Sequence, residues 1–224
     1  MIGCQILQRK RAVDLALARQ FLQIPVANVS DCMSRMTAGG HKIRAMHDGT
    51  AMAGPALTIK CRPGDNLMLH KALKIAQPGD VIVVDAGGDL TNAITGEIMV
   101  GEAKLKGYAG MVINGAIRDS DVIARDHFPV FAAGVTHRGP YKDGPGEINV
   151  PIAIDGMVIH PGDLVIGDAD GILCVPYEQA QELLQAARQK QVIEARMIEE
   201  IASGTYDHQW VDDTLKRIGC HIEH

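Results

Sequence analysis

Apolar residues change their period along the chain, and the changes mark out elements. Ala12, Leu15, Ala16 and Leu22 recur at helical spacing, which predicts an opening helix over residues 11–24. Ser30 or Asp31 is placed to cap a short second helix through Met36, with Gly39-Gly40 as its end. Residues 50–61 read as strand broken at Gly54-Pro55, and Leu57-Thr58-Ile59 is its clearest β stretch. Pro63-Gly64-Asp65-Asn66 turns the chain into a helical pattern from Leu67 to Ala76, closed by Pro78-Gly79. Val81-Ile82-Val83-Val84 is a short unbroken apolar run, as expected of a strand buried on both faces. A helix over Gly96–Lys106, a strand Met111–Ile113 ending in the turn Asn114-Gly115, a helix Ser120–Asp126 and a strand Val130–Ala133 complete the first part. Strands alternating with helices predict an α/β protein whose parallel or mixed sheet is covered by helices.

After residue 134, Gly and Pro punctuate short strands: Ile148–Ile154, Met157–Ile159, Leu164–Ile166 and Ile172–Val175. This β-rich half is expected to layer against the first sheet. From Tyr177 to Ser203 one helix is predicted, rich in Ala, Gln and Glu and ended by Gly204. At 1.5 Å per residue it would run roughly 40 Å, long enough to reach a neighbouring subunit. Without a polar linker, residues 1–224 read as a single domain, with 177–224 as a helical C-terminal extension.

Composition narrows the partners. Apolar residues are 46% and aromatics only 4%, so the core is built from aliphatic side chains. A net charge of −5 without a basic stripe argues against nucleic acid as a partner. No apolar run reaches membrane-spanning length and no signal-peptide pattern opens the chain, so a soluble cytoplasmic protein is expected. The five cysteines include no C-x-x-C pair, which supports neither a disulfide framework nor a zinc knuckle. The histidines lack H-E-x-x-H spacing, and Asp85-Ala86-Gly87-Gly88-Asp89 lacks the full dinucleotide fingerprint, so it reads as a turn on the active-site side. His70, in a predicted helix, reads as a packed or half-buried histidine rather than a ligand.

The candidate chemistry lies at Arg118-Asp119, just after a predicted strand, where α/β sheets place ligands. A carboxylate there suits Mg²⁺ or Mn²⁺, and the guanidinium can hold substrate oxygens. The plainer alternative is that Asp119 or Ser120 caps the next helix. Twenty residues earlier, Thr95-Gly96-Glu97-Ile98-Met99 opens another helix, with Thr95 as its N-cap and free N–H groups able to receive a carboxylate. Glu97 is also readable as an ordinary acid in a first helical turn.

The pattern Gly96-Glu97, twenty residues, Arg118-Asp119, together with Pro78-Gly79-Asp80, Pro161-Gly162-Asp163 and Gly167-Asp168-Ala169-Asp170-Gly171, resembles a family of class II pyruvate aldolases. That family cleaves 4-hydroxy-4-methyl-2-oxoglutarate and 4-carboxy-4-hydroxy-2-oxoadipate, and also contains the RraA-type regulators of ribonuclease E activity. The resemblance implies a layered β/β/α fold of the swivelling-domain kind, assembled as a homotrimer or homohexamer with sites between subunits. It implies that Asp119 binds the metal, that Arg118 binds substrate, and that Gly96, Glu97, Ile98 and Met99 hold the pyruvate carboxylate. It also implies an acid from the neighbouring subunit's long helix, matched best by Glu194, with Glu199 and Glu200 close by. The chain departs from the family pattern at Glu97, where Asp is usual, and at Ile98, where Asn or a similar residue is usual. The implied reaction is metal-dependent retro-aldol cleavage of a 2-oxo acid, with oxaloacetate decarboxylation as a second activity. Because no histidine is evidently placed, a metal-bound water or hydroxide oriented by Glu97 and Glu194 is the expected base. The alternatives are a non-catalytic RraA-like regulator and a lyase acting on a different 2-oxo or sugar acid.

Overall fold

The computed structural model describes residues 2–36 and 41–223. The chain divides into one unit that runs to Ala187 and another that starts at Arg188. In the first, β1 (Cys4–Ile6) precedes α1 (Leu15–Gln20), which is shorter than the helix predicted over 11–24. Asp14 sets its start: the carboxylate accepts the N–H groups of Ala16 and Leu17, while the N–H of Val13 goes to the carbonyl of Gly162. A 3₁₀ turn at Phe21–Gln23 leads to α2 (Val26–Cys32), entered from Pro25, so Ser30 and Asp31 lie inside this helix rather than capping it. Gly39-Gly40, expected to end it, lie outside the described residues.

The short β2 (Arg44–Ala45) is followed by β3 (Met52–Cys61), which runs straight through Gly54-Pro55. The reason is directional. Ala56 donates its N–H to the carbonyl of Asp163, so the Pro55 nitrogen, one residue earlier, points to the opposite edge. Parallel pairing on that edge starts only at Ala56, and proline therefore removes no ladder bond.

Next come α3 (Leu67–Ile75), β4 (Val81–Asp85), β5 (Ala93–Thr95), α4 (Glu97–Leu105), β6 (Gly110–Ile117), α5 (Ser120–Ala124) and β7 (Val130–Val135). β6 continues across the predicted turn Asn114-Gly115, with an irregular register between Ile113 and Ala116. The β-rich part supplies β8 (Gly146–Ile148), β9 (Ile152–Ile154), β10 (Met157–Ile159), β11 (Leu164–Asp168) and β12 (Gly171–Val175). The single strand predicted over 148–154 is split at Asn149, whose φ is +60°. After a 3₁₀ turn at Tyr177–Gln179, α6 (Ala180–Ser203) begins.

The main sheet has the order β1-β8-β3-β4-β6-β7-β2, with β5 alongside the end of β6. The pairs from β3 through β7 are parallel. The first half of β3 also pairs with β11, and β11 with β12, so one strand joins two β layers. The period of two assigns the side chains. Ile82 and Val84 pack with Leu69, Leu73 and Ala103 of the helices on one face. Val81 and Val83 pack with Val165, Ile172 and Cys174 of the second β layer. All four residues of this run are 0% exposed, which is why no polar position interrupts it. Beyond β11 and β12, Leu164, Ile166, Leu173 and Val175 meet Ala18, Phe21, Val29, Leu183 and Leu184. The expected layered α/β fold with its long C-terminal helix is present, and α1, α2 and the start of α6 add a further helical cover.

The second unit holds the remainder of α6 and α7 (Gln209–Arg217). Gly204, with φ +71°, stops α6 in the left-handed conformation that suits glycine after a helix end. Among the described residues no helix is long and apolar enough to cross a membrane.

Candidate active site

Four segments that follow β3, β5, β6 and β7 gather at the carboxyl edge of the sheet. Arg118 leaves β6 with its N–H donated to the carbonyl of Thr95 at 3.0 Å, which locks the end of β6 to β5. Asp119 follows in the left-handed region, φ +56° and ψ +36°, an uncommon conformation for a side-chain-bearing residue. It occupies the N-cap position of α5, yet its side chain makes no bond to that helix. Instead, Oδ2 accepts the N–H of Glu97 at 3.0 Å, at the start of α4. The carboxylate is thus turned away from the local capping role and toward the other half of the predicted site.

Gly96 makes this approach possible. A Cβ on it would lie 2.3 Å from Asp119 Oδ2 and 2.9 Å from Arg118 Cγ. Gly96, and not Thr95, is the N-cap of α4; Thr95 ends β5, buried, with its hydroxyl unpartnered. The first-turn N–H groups of Ile98 and Met99 have no intrahelical acceptor and carry the positive end of the helix dipole.

These groups border a cavity of about 320 Å³, within the range of small-molecule sites. Its wall includes Gly96, Ile98, Met99, Arg118 and Asp119 from the predicted set. Glu97 contributes its backbone N–H to Asp119, while its side chain is exposed and outside the wall. Glu194 lies in the second unit and pairs with Lys190 at 3.0 Å; there Glu200 pairs with Arg196 at 2.8 Å. The Asp85–Asp89 turn follows β4 at the same edge, but none of its residues lines the cavity.

Sequence reasoning missed the opposite wall: Asn66, His70, Gly139, Pro140 and Lys142. Asn66 and His70 are four apart at the start of α3, a spacing that puts them on one face and was readable in principle. Asn66 is fixed by donating Nδ2 to the carbonyl of Ile94 at 2.9 Å. Lys142 arrives on a loop held by Asp65, which is 1% exposed and accepts the N–H groups of Leu67, Asp143 and Gly144. Burial alone would raise the pKa of Asp65. Those three N–H groups and the Arg62 guanidinium outweigh it and hold the carboxyl below its ordinary value. Tyr141 exchanges backbone bonds with the same turn, through Gly64 and Asn66. His70 is half-buried, as expected of it, and in addition lines the cavity.

The donor set suits a hard divalent cation. Asp119 Oδ1 has no hydrogen-bond partner among the described residues, and Arg118 Nε stands 3.6 Å from Oδ2. No group of three or more His, Cys, Asp or Glu side chains forms a candidate metal cluster among those residues. One carboxylate with open positions for water and substrate oxygens is a normal arrangement for Mg²⁺.

The chain matches the sequence model of the family described as RraA-like: Aldolase/RraA over residues 26–174. A relative from Halalkalibacterium halodurans, named "Putative 4-hydroxy-4-methyl-2-oxoglutarate aldolase", is 44% identical over 178 residues, 80% of this chain and 85% of the relative. An uncharacterized protein from Pseudomonas syringae pv. tomato superimposes with a TM-score of 0.77 at 28% identity, covering 88% of this chain and 93% of the other. Streptomyces coelicolor RraAS2, described as an unusual member of the RNase ES inhibitor RraA protein family, gives 0.74 at 30% identity, covering 84% and 98%.

Proposed function

The chain belongs to the RraA-like (Aldolase/RraA) family, and from that premise we propose that it is a divalent-metal-dependent lyase releasing pyruvate from a 4-hydroxy-2-oxo acid of the 4-hydroxy-4-methyl-2-oxoglutarate type. The observation that carries this reading is the Asp119 carboxylate, drawn off its own helix to the start of α4 beside Arg118. Arg118 donates charge-assisted hydrogen bonds to substrate oxygens. The Ile98 and Met99 N–H groups receive the 1-carboxylate at the helix N-terminus. As the C3–C4 bond breaks, negative charge moves onto the 2-oxo oxygen, where the guanidinium stabilises it more strongly than in the ground state. Asp119 would hold Mg²⁺ or Mn²⁺, which when bound would supply Lewis-acid stabilisation of the developing negative charge. The same enolate would make oxaloacetate decarboxylation a second activity.

We assign Glu97, and Glu194 from another copy in a homotrimer or homohexamer, to the water shell of the site. A small 2-oxo acid is the partner, and neither nucleic acid nor membrane is required. Asp119→Ala should abolish metal-dependent pyruvate release across a panel of 4-hydroxy-2-oxo acids; retained release would reject this site. The resemblance to RraAS2 favours a second reading, a non-catalytic protein-binding regulator. Tight partner capture with no pyruvate formed at saturating Mg²⁺ would select it. The exposed Ile98 at the cavity mouth, 75% accessible, and the neighbouring Glu97 favour a lyase with a different 2-oxo or sugar acid, which the same panel distinguishes.

A further inference from the structure

Retro-aldol cleavage needs a group to take the C4-hydroxyl proton, and four ionisable side chains line the cavity: His70, Arg118, Asp119 and Lys142. A guanidinium and an ammonium are donors with no acceptor lone pair. Asp119 is engaged by the Glu97 N–H and, in the reading above, by the cation. His70 is left. Neither of its ring nitrogens has a hydrogen-bond partner among the described residues. Its backbone N–H bonds the carbonyl of Asn66 at 3.1 Å, and Asn66 is itself held to Ile94, so the first turn of α3 is fixed against the cavity wall. A compact space of about 320 Å³ would be roughly 8–9 Å across, so one small acid can touch both walls.

The charged groups around His70 act in both directions. Burial lowers its pKa from the ordinary imidazole value; Lys142 and Lys74 lower it further, and Glu102 opposes them. At neutral pH the ring is uncharged and keeps a free lone pair.

Resting on the retro-aldol reading, we propose that His70 is the general base of the cleavage, taking the proton of the substrate's C4 hydroxyl. A ring nitrogen gains that proton, and the O–H electron pair becomes the second bond of the carbonyl product. The C3–C4 pair becomes the C2=C3 bond of the pyruvate enolate, with the charge on the 2-oxo oxygen. The imidazolium then returns the proton to C3, giving the pyruvate methyl group and restoring the neutral ring. No oxidant or reductant enters.

The test compares wild type, His70→Gln, His70→Asn and Lys142→Met on 4-hydroxy-4-methyl-2-oxoglutarate and on oxaloacetate. Decarboxylation of oxaloacetate forms the same enolate without removing a hydroxyl proton. Both His70 variants should lose about 10²–10⁴ in kcat for cleavage and lose the acid limb of its pH profile. Their decarboxylation should fall by less than about tenfold. Lys142→Met should move the acid limb to higher pH, because it removes a cation that disfavours imidazolium. Cleavage by His70→Gln within about threefold of wild type, with the acid limb intact, would overturn the assignment in favour of water held by Glu97 and Glu194. Equal losses on both substrates with an unchanged pH profile would also overturn it, leaving His70 a wall residue. Should wild type not decarboxylate oxaloacetate, the pH profile alone decides. Mn²⁺ binding and melting temperature verify that each variant is folded with its cation site in place. Failure of the underlying function looks different: wild type itself would release no pyruvate from any 4-hydroxy-2-oxo acid.

Discussion

Adding one methyl group at Gly96 tests the geometry of the site more sharply than removing a charge. In Gly96→Ala the new Cβ lies 2.3 Å from Asp119 Oδ2, where ordinary contact begins at 3.4 Å, so the carboxylate must retreat by about 1 Å. The Glu97 N–H···Oδ2 bond, now 3.0 Å, stretches beyond bonding range. A misplacement of about 1 Å in a reacting constellation costs about 100-fold, or ~2.7 kcal/mol of barrier. A fall of about 100-fold in kcat/KM for pyruvate release is therefore expected, together with weaker Mn²⁺ binding. The Gly96 φ of −157° is open to alanine, and Asp119 is 34% exposed, so water replaces the lost bond. Unfolding free energy should therefore change by less than about 1 kcal/mol. The assay is coupled pyruvate detection at graded Mn²⁺, with a urea melt beside it. Wild-type kcat/KM in a folded Gly96→Ala protein would refute the role given to Asp119.

Three further outcomes follow from the packing. Ile82→Ala empties a fully buried position between β4 and the helices and should cost about 2–5 kcal/mol in urea unfolding; a cost under 1 kcal/mol would contradict the layer assignment. Asp65→Asn removes a carboxylate whose native pKa is depressed. Its stabilisation is present above the unfolded value of about 3.9 and is lost as pH falls through the native value. Wild type should therefore exceed the variant in melting temperature at pH 7 and converge on it toward pH 3, and a gap independent of pH would show that the charge is not responsible. Cys61, whose pKa burial pushes up to about 12, and Cys174, raised by the same cause, should resist alkylation in the native protein at pH 8, while exposed Cys4 and Cys220 react. Rapid native labelling of Cys61 by mass spectrometry would place it outside the core.

Local pattern was sufficient wherever a residue's environment depends on close neighbours in the chain. The unbroken run Val81–Val84 identified a strand buried on both faces, and Met157–Ile159 was located to the residue. The start of α4 was legible to within a residue, although its cap is Gly96 rather than Thr95, while the end of β6 lies four residues beyond the predicted Ile113. Alternatives that are close in energy locally were not decided by pattern. Asp119 had a helix to cap on either side of the sheet edge, and pairing of β5 with β6, which brings Gly96 within reach, made the choice. Pro55 reads as a break until the edge its nitrogen faces is known, and that depends on which strand lies there. His70 and Lys142 lie 72 positions apart and share one wall of the cavity because Asp65 gathers the loop after β7 onto the start of α3. Side-chain chemistry and periodicity thus located the central strands β3, β4, β6 and β7 and singled out Gly96, Arg118 and Asp119, while β1, β2 and β5 carried no pattern of their own. The opposite wall, and the direction in which the Asp119 carboxylate points, came from long-range pairing, which no window of neighbouring residues encodes.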